Sequence, residues 1–176
     1  VLEAGLLARM IDGAAVAVTL PAFSEPEISY YNQAEALFRN GTLPGLLGLG
    51  AKPRFRSHSL AQFAGAANAM ISTSIEEGFG YQYLHARSWQ IPLIAREVDS
   101  IDGFRDLIQG PATILYNRLN CLINKEDRVH LANRYRDRLR RLTPLLPQKI
   151  LKTVTEQIDE TIGGEYVDYS YLSFEL

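Results

Sequence analysis

Apolar residues along this chain follow two spacings, and stretches of the two kinds alternate. Apolar positions three and four residues apart predict helices at 2–11, 25–40, 60–67, 81–89, 101–109, 125–142 and 147–162. Short apolar runs predict strands at 14–20, 46–49, 69–73, 92–95 and 112–115, and a short edge strand at 53–56. Because strands buried on both faces are typical of parallel sheets covered by helices, the alternation predicts an α/β fold. We expect one Rossmann-like domain with a parallel sheet of about five strands.

After residue 122 the pattern predicts two helices and then a tail without helical spacing. We expect 1–122 to form the Rossmann-like domain and 123–176 to form an α-helical C-terminal extension with a tail. For the helix at 125–142, the predicted buried stripe consists of Val129, Ala132, Tyr135, Leu139 and Leu142. The tail alternates loosely between apolar and polar residues, so it either docks as an extended arm or is disordered.

Composition excludes several classes of function. The net charge of −2 gives no reason to expect a nucleic-acid partner. A single cysteine, Cys121, rules out an internal disulfide and fits a reducing compartment, so we predict a cytoplasmic protein in which Cys121 is a small buried apolar residue rather than a nucleophile. No apolar run approaches the roughly 20 residues that cross a bilayer. We therefore expect no transmembrane segment, while peripheral contact of the Arg-rich helix 125–142 with acidic lipid stays open.

The common catalytic motifs are missing as well. The chain has no GxSxG motif, no Walker-type lysine and no Cys–His pair at usable spacing. His58, His85 and His130 have no second His or Cys at metal-ligand spacing, so we predict no metal and no cofactor.

The loop between the strand at 69–73 and the helix at 81–89 is the strongest candidate site. It follows the carboxyl end of a strand and precedes the amino end of a helix, which is where α/β folds bind ligands. Gly78 and Gly80 let the backbone approach a ligand closely, and amides of the first helical turn suit phosphate or sugar oxygens. Glu77 lies beside that anion site, where it can meet sugar hydroxyls. The alternative for Glu77 is a solvated carboxylate that favours the helix N-terminus.

Other polar residues flank this loop. Ser74 is interpreted either as a cap of the turn or as a wall of the ligand pocket. Arg96 and Glu97 follow the next strand at the same edge of the sheet, so they are candidates to face a ligand, although a surface ion pair between them is the favoured interpretation.

The stretch LAQFAGAANAMISTSIEEGFG followed by QIPLIAREV resembles the donor-binding half of GT-B glycosyltransferases, especially the retaining family-4 type. The shared pattern is a helix ending in small residues, a strand, a serine three residues before a glutamate, Gly-Phe-Gly, a helix and a proline before the next strand. The resemblance covers 60–98 clearly and the remainder only in topology. The matching residues are Ser74, Glu77, Gly78, Phe79, Gly80, Tyr81 and Pro92.

The resemblance implies transfer of a sugar from a nucleotide-sugar to an acceptor hydroxyl, with retention of configuration and without a metal. Glu77 matches the first of two glutamates and would contact the donor sugar, with Ser74 and 78–81 lining the donor site. The second glutamate, which holds the nucleotide ribose, is replaced by His85. A carboxylate accepts two ribose hydroxyls, whereas neutral imidazole offers one donor and one acceptor, so ribose binding is altered, weakened or lost. A half-buried helix histidine is the alternative interpretation of His85.

Two parts of such an enzyme are not visible in this chain. The resemblance implies an N-terminal acceptor-binding half, and an Arg/Lys pair for the donor diphosphate on loops that precede or surround Val1. We therefore interpret the chain as part of a longer protein and expect no catalysis from it alone. The alternative function is a degenerate, non-catalytic GT-B-like binding or assembly module. A third possibility is another sugar-nucleotide enzyme of similar architecture, such as a 2-epimerase.

Overall fold

The chain forms an α/β structure in two compact units, Val1–Asn117 and Arg118–Leu176. The structure, a computed structural model, describes residues 1–22, 24–75, 80–110 and 112–172, with only the backbone for residues 26 and 27. Parallel strands flanked by helices confirm the predicted fold class in its coarse form.

The first unit alternates helices and strands. In chain order these are α1 (Leu2–Arg9), β1 (Val16–Ala17), α2 (Glu25–Arg39), β2 (Gly45–Leu46), α3 (Leu60–Gly65), β3 (Met70–Ser72), α4 (Tyr81–Ser88), β4 (Leu93–Arg96), α5 (Arg105–Ile108) and β5 (Thr113–Tyr116). The helix α3 begins with a capping box, in which Ser59 and Gln62 bond each other's backbone amides. This start was predicted from the sequence and is confirmed.

The strands of the first unit form two parallel ladders rather than one five-stranded sheet among the described residues. Strands β1 and β2 pair with each other, and β4 lies between β3 and β5. The expectation of a single sheet is therefore wrong for this part of the chain. A physical reason lies in β2, because Gly48 adopts φ +63 and Leu49 turns into a 3-10 helix, so the predicted strand at 46–49 ends early.

The three-stranded ladder carries the larger core of this unit. Alternate residues of the central strand β4, Leu93 and Ala95, are buried, as are Tyr83 and Ala86 of α4. Ile101 and Ile108, from the segment after β4, complete the same cluster. Each Å² of apolar surface that this core removes from water stabilises the fold by roughly 25 cal/mol.

Two local predictions in the first unit need correction. Segment 53–56 was expected to be an edge strand, but Pro53–Phe55 is a 3-10 helix. Proline has a fixed φ and no N–H, which suits the first position of such a turn, and the amide of Phe55 closes it on the carbonyl of Lys52 at 2.9 Å. The helix predicted at 101–109 is split, since Asp99–Phe104 is a 3-10 helix and only Arg105–Ile108 is α-helical.

The second unit consists of a helical hairpin and a short ribbon. Its elements are β6 (Asn120–Leu122), α6 (Lys125–Leu142), α7 (Gln148–Gly163) and β7 (Tyr166–Asp168). Both helices were predicted, and α6 has the predicted bounds. The tail docks through β7, which pairs antiparallel with β6 in the register Cys121 to Val167. Strand β6 was not predicted, and Cys121 is half-buried within it.

The buried stripe of α6 differs from the predicted one. Leu131, absent from the predicted stripe, is 1% exposed and packs with Ile162 and Val167. Val129 and Leu142, which were predicted to be buried, are 52% and 47% exposed. Alternative apolar stripes run along this helix, and contact with α7 and the ribbon selects the one through Leu131.

Candidate active site

The predicted ligand loop lies at the carboxyl edge of the three-stranded ladder. In the parallel pairing, Ser72 at the end of β3 is opposite Ala95, and α4 begins at Tyr81 after the loop. Ser74, Gly80 and Tyr81 are therefore brought to this edge by the strand–loop–helix–strand connection. Residues 76–79, which include Glu77, Gly78 and Phe79, lie outside the described residues, so their proposed roles stay predictions.

Gly80 is required by the backbone where the loop enters α4. It has φ +64 and is buried, and a β-carbon at this position would lie 2.6 Å from Cζ of Phe104. The positive φ and the lack of room for a β-carbon both favour glycine at this position. This residue precedes the first turn of α4 and provides no side-chain cap. The turn that precedes the free backbone amides of α4 is thus one that only glycine forms without strain.

Ser74 is tied to the helix that follows the loop. Its Oγ accepts a hydrogen bond from Nε2 of Gln82 at 3.3 Å in a partly buried position. This contact between two side chains joins the loop to the first turn of α4. A role of Ser74 in the wall of a ligand pocket stays a prediction.

His85 lies in an aromatic column along one face of α4. The rings of Tyr81, His85 and Trp89 follow one another at helical spacing. The imidazole centroid is 6.5 Å from the Tyr81 ring at an interplanar angle of 22° and 4.7 Å from the Trp89 indole at 16°. Stacking limits rotation of the imidazole. The nitrogen atoms at the ring edge remain the polar part of His85, which is half-buried.

A buried hydroxyl at the same edge was missed by sequence reasoning. Ser72 is the last residue of β3 and is 3% exposed, and its Oγ has no hydrogen-bond partner among the described residues. A buried polar atom without a partner costs roughly 1–3 kcal/mol, so such atoms are rare in proteins. The only sequence signal for it was a serine at the end of an apolar run.

Arg96 has a different partner from the expected one. It does not form a surface pair with Glu97; it is 5% exposed and pairs with Glu3 of α1, which is 4% exposed. Oε1 of Glu3 accepts hydrogen bonds from Nε and Nη2 of Arg96 at 3.0 and 2.8 Å and from the hydroxyl of Tyr116 at 2.8 Å. The predicted ion pair was wrong because the partner is distant in sequence and enters through tertiary packing.

This polar cluster is held from several elements. Nη1 of Arg96 donates to the carbonyl of Asn117 at 3.0 Å, and the hydroxyl of Tyr83 donates to the carbonyl of Arg96 at 2.7 Å. Burial, and then the hydrogen bond to the Glu3 carboxylate, raise the pKa of the Tyr116 hydroxyl above its ordinary range. The cluster joins α1, β4 and β5 at the carboxyl edge of the ladder.

Glu97 pairs with Arg105 instead. Arg105 contacts the carboxylates of both Asp102 and Glu97, and its pKa is raised first by the hydrogen bond to Asp102 and then by that to Glu97. These two residues, Glu97 and Arg105, line an open cleft of about 450 Å³ together with Gln109, Gly110, Thr113 and Leu115. The positive charge of Arg105 is already compensated by these two carboxylates. None of the described residues of the predicted donor site lines this cleft.

A second cleft, of about 400 Å³, lies at the opposite edge of the ladder. It is lined by residues at the end of α4, such as Arg87 and Gln90, and at the starts of β4 and β5, such as Leu93 and Thr113. The carboxyl edge remains the place where the described site residues gather. In the described ranges, no three His, Cys, Asp or Glu side chains are grouped as a metal site, and no helix has the length and apolar content of a membrane span.

Comparison with known proteins gives a weak similarity that runs along the whole of this chain. The chain matches no protein-family model, and no solved structure matches it significantly. It is 22% identical over 177 aligned residues to the mannosylglucosyl-3-phosphoglycerate synthase of Petrotoga mobilis. The alignment covers 100% of this chain and 33% of the synthase, so the chain spans about a third of that protein's length. The similarity supports a distant relationship between this chain and a glycosyltransferase.

Proposed function

We propose that this chain is the donor-binding part of a retaining, metal-independent glycosyltransferase of the GT-B type, which moves a hexosyl group from a nucleotide-sugar to an acceptor hydroxyl. One observation carries the proposal. The unit from Met70 to Arg96 has the strand–loop–helix–strand order of a donor site, and it belongs to a chain similar over its whole length to a sugar-joining synthase. The cytoplasmic location predicted from the lone cysteine is part of this proposal.

The proposed chemistry is mainly electrostatic. Negative charge develops on the departing nucleoside diphosphate, and the turn through Gly80 into α4 directs backbone amides and the positive end of the helix dipole toward the carboxyl edge. Glu77 is proposed to orient the donor sugar through its hydroxyls. His85, restrained between Tyr81 and Trp89, is proposed to meet one ribose hydroxyl with a ring nitrogen.

The remaining parts of the reaction are assigned to the rest of the protein. Because the chain spans about a third of the Petrotoga mobilis synthase, we propose that the acceptor-binding half and the cations for the diphosphate belong to a longer protein. That relative's name favours a sugar-bearing acceptor. Sugar transfer then requires both parts, and this chain alone is inactive.

Nucleotide binding is the first test. Calorimetric titration of the whole protein with UDP, GDP and ADP is expected to show micromolar binding of one nucleotide. His85→Ala is expected to weaken it about tenfold, the effect of losing one hydrogen bond of roughly 1.4 kcal/mol. His130→Ala, an exposed histidine in the second unit, is the matched control and should leave the affinity unchanged. If the unmodified protein and both variants bind the nucleotide with equal affinity, His85 does not contact it.

Glu77 is tested by sugar transfer against its neighbour. Glu77→Gln is expected to lower the transfer rate about 100-fold, the typical effect of one oriented polar contact at the reacting sugar, while nucleotide affinity changes less than threefold. Glu76→Gln removes the same charge one residue earlier and should keep most of the activity. Equal losses in both variants would point to a general charge effect and contradict a specific role of Glu77.

The second candidate, a degenerate binding or assembly module, is favoured by one feature, the histidine in place of the ribose-binding glutamate. The titration separates the two functions. A folded whole protein that binds none of the three nucleotides would contradict the enzyme and leave the module.

A further inference from the structure

A cationic segment follows β2 in the first unit. Lys52, Arg54 and Arg56 occupy alternate positions of the sequence KPRFRSH, and all three side chains are exposed. Positions 36–75 contain no aspartate or glutamate, although the whole chain has a net charge of −2. We call residues 52–58 the cationic turn. The cationic turn is therefore strongly positive, although the whole chain is slightly acidic.

The cationic turn has a defined conformation. Pro53–Phe55 is a 3-10 helix, and the amide of His58 bonds the carbonyl of Phe55 at 3.0 Å. Below it, the ring of Phe55 contacts the rings of His58 and Phe63 at centroid distances of 6.0 Å, and those two rings are 5.9 Å apart. Three mutually packed rings hold the turn on α3, which reduces the conformational entropy that ligand binding would cost.

Two of the three cations are also oriented. The guanidinium of Arg54 lies 5.7 Å from the centroid of the Phe55 ring, and Nε of Arg56 donates to the carbonyl of Ala51 at 3.2 Å. These contacts restrain both side chains without neutralising them. A restrained guanidinium loses less freedom on binding and presents its N–H groups in a fixed fork.

Within the described ranges, neither Lys52, Arg54 nor Arg56 has a carboxylate at ion-pair distance. Several other arginines do, namely Arg39, Arg96, Arg105, Arg136 and Arg140. Three uncompensated cations on one ordered turn repel each other, and an anion bound between them would relieve that repulsion.

We propose that the cationic turn binds the phosphate group of a phosphorylated ligand. Phosphate suits the two arginine forks and the lysine, because charge-assisted hydrogen bonds to its oxygens are among the strongest in proteins. The turn follows the carboxyl end of a parallel strand, the kind of position at which α/β folds bind ligands. The inference does not depend on sugar transfer and involves none of the residues assigned to the donor loop.

The test measures binding of inorganic pyrophosphate by calorimetry at constant ionic strength. The triple variant Lys52→Gln, Arg54→Gln, Arg56→Gln is expected to weaken binding at least tenfold. The matched control Arg118→Gln, Lys149→Gln, Lys152→Gln removes the same charge from exposed positions of the second unit outside α6 and should change affinity less than twofold. All changed side chains are exposed, and unchanged circular dichroism spectra will show that both variants fold.

A second arm identifies the source of the phosphate. Vesicles of neutral lipid with and without phosphatidic acid are sedimented with the same proteins. Binding to phosphatidic acid alone, lost in the first variant and kept in the control, assigns the turn to a lipid headgroup. Binding of pyrophosphate with the same dependence assigns it to a soluble phosphorylated ligand. No binding to either probe, or equal losses in the two triple variants, overturns the proposal.

Discussion

The contact between Glu3 and Arg96 shows how a single residue can be misread without its tertiary partner. Both side chains are almost fully buried, and one carboxylate oxygen collects hydrogen bonds from a guanidinium and a phenol. Removing charges from water is costly, so a buried ion pair is sustained by its geometry and its extra hydrogen bonds. Either charge left alone in the same place would lose the ion pair that offsets its removal from water.

Arg96→Met is therefore expected to destabilise the first unit by about 3–5 kcal/mol, because it leaves the Glu3 carboxylate buried without its cation. The double variant Glu3→Leu, Arg96→Met should recover much of that loss. Urea denaturation measures both. Arg39→Met, which breaks an exposed pair with Glu35, is the control and should cost less than about 1 kcal/mol. A loss of similar size for Arg96→Met would contradict the buried pair.

Gly80→Ala tests the turn that leads into α4. The substitution places a β-carbon against Phe104 in left-handed backbone, so we expect a loss of at least about 1–2 kcal/mol in the free energy of unfolding. Gly65→Ala is the matched control, since that glycine belongs to α3 and has open space around it. There alanine should be neutral or stabilising by up to about 1 kcal/mol. Thermal unfolding of the two variants compares them directly, and equal behaviour would refute the constraint at Gly80.

At the scale of elements, apolar spacing is a good guide to where a helix lies and a poorer guide to which face it buries. Helix α6 has the predicted bounds, yet its buried centre is Leu131 and two members of the predicted stripe are exposed. A helix with apolar residues on several faces has more than one possible stripe. The neighbouring helix α7 and the ribbon choose between them.

Leu131→Ala is expected to destabilise the second unit by about 2–5 kcal/mol, because it opens a cavity among Ile162 and Val167. Val129→Ala removes an apolar side chain two residues earlier, on the exposed face, and should change stability by less than about 0.5–1 kcal/mol. Denaturant unfolding monitored by circular dichroism measures the difference. A larger effect at Val129 would restore the stripe predicted from the sequence.

For the whole molecule, tyrosine ionisation links stability to alkaline pH. Burial is the main cause that raises the pKa of Tyr31, Tyr116 and Tyr135 in the folded state. Above pH 10 the unfolded chain loses these protons while the folded chain keeps them. The unfolded state is then favoured, so the free energy of unfolding should decrease as pH rises beyond 10.

Tyr116→Phe isolates one of these groups. The variant loses a hydrogen bond to Glu3 and should be less stable near neutral pH, but its stability should fall less steeply above pH 10 than that of the unmodified protein. Denaturation curves collected from pH 7 to 11 give both slopes. Parallel slopes would mean that Tyr116 titrates alike in the two states.

The candidate site was only partly accessible from the sequence. The strand, the helix start at Tyr81 and the glycine turn are local features, and the described residues show them where the pattern placed them. The aromatic neighbours of His85 could have been read from their spacing. The unpartnered hydroxyl of Ser72 could not, since burial of one hydroxyl depends on what covers the strand end. The roles of Glu77, Gly78 and Phe79 in donor binding stay predictions.

The sequence by itself determined the alternation of helices and strands, their parallel pairing in βαβ order and the capping box before α3, because these follow from spacing and chemistry within a few residues. Only the tertiary structure decided which charges pair, which face of α6 is buried, and that the strands form two ladders. Those outcomes depend on residues far apart in the chain. Glu3 of α1 and Arg96 of β4 are 93 residues apart in the sequence, and no local pattern records their contact.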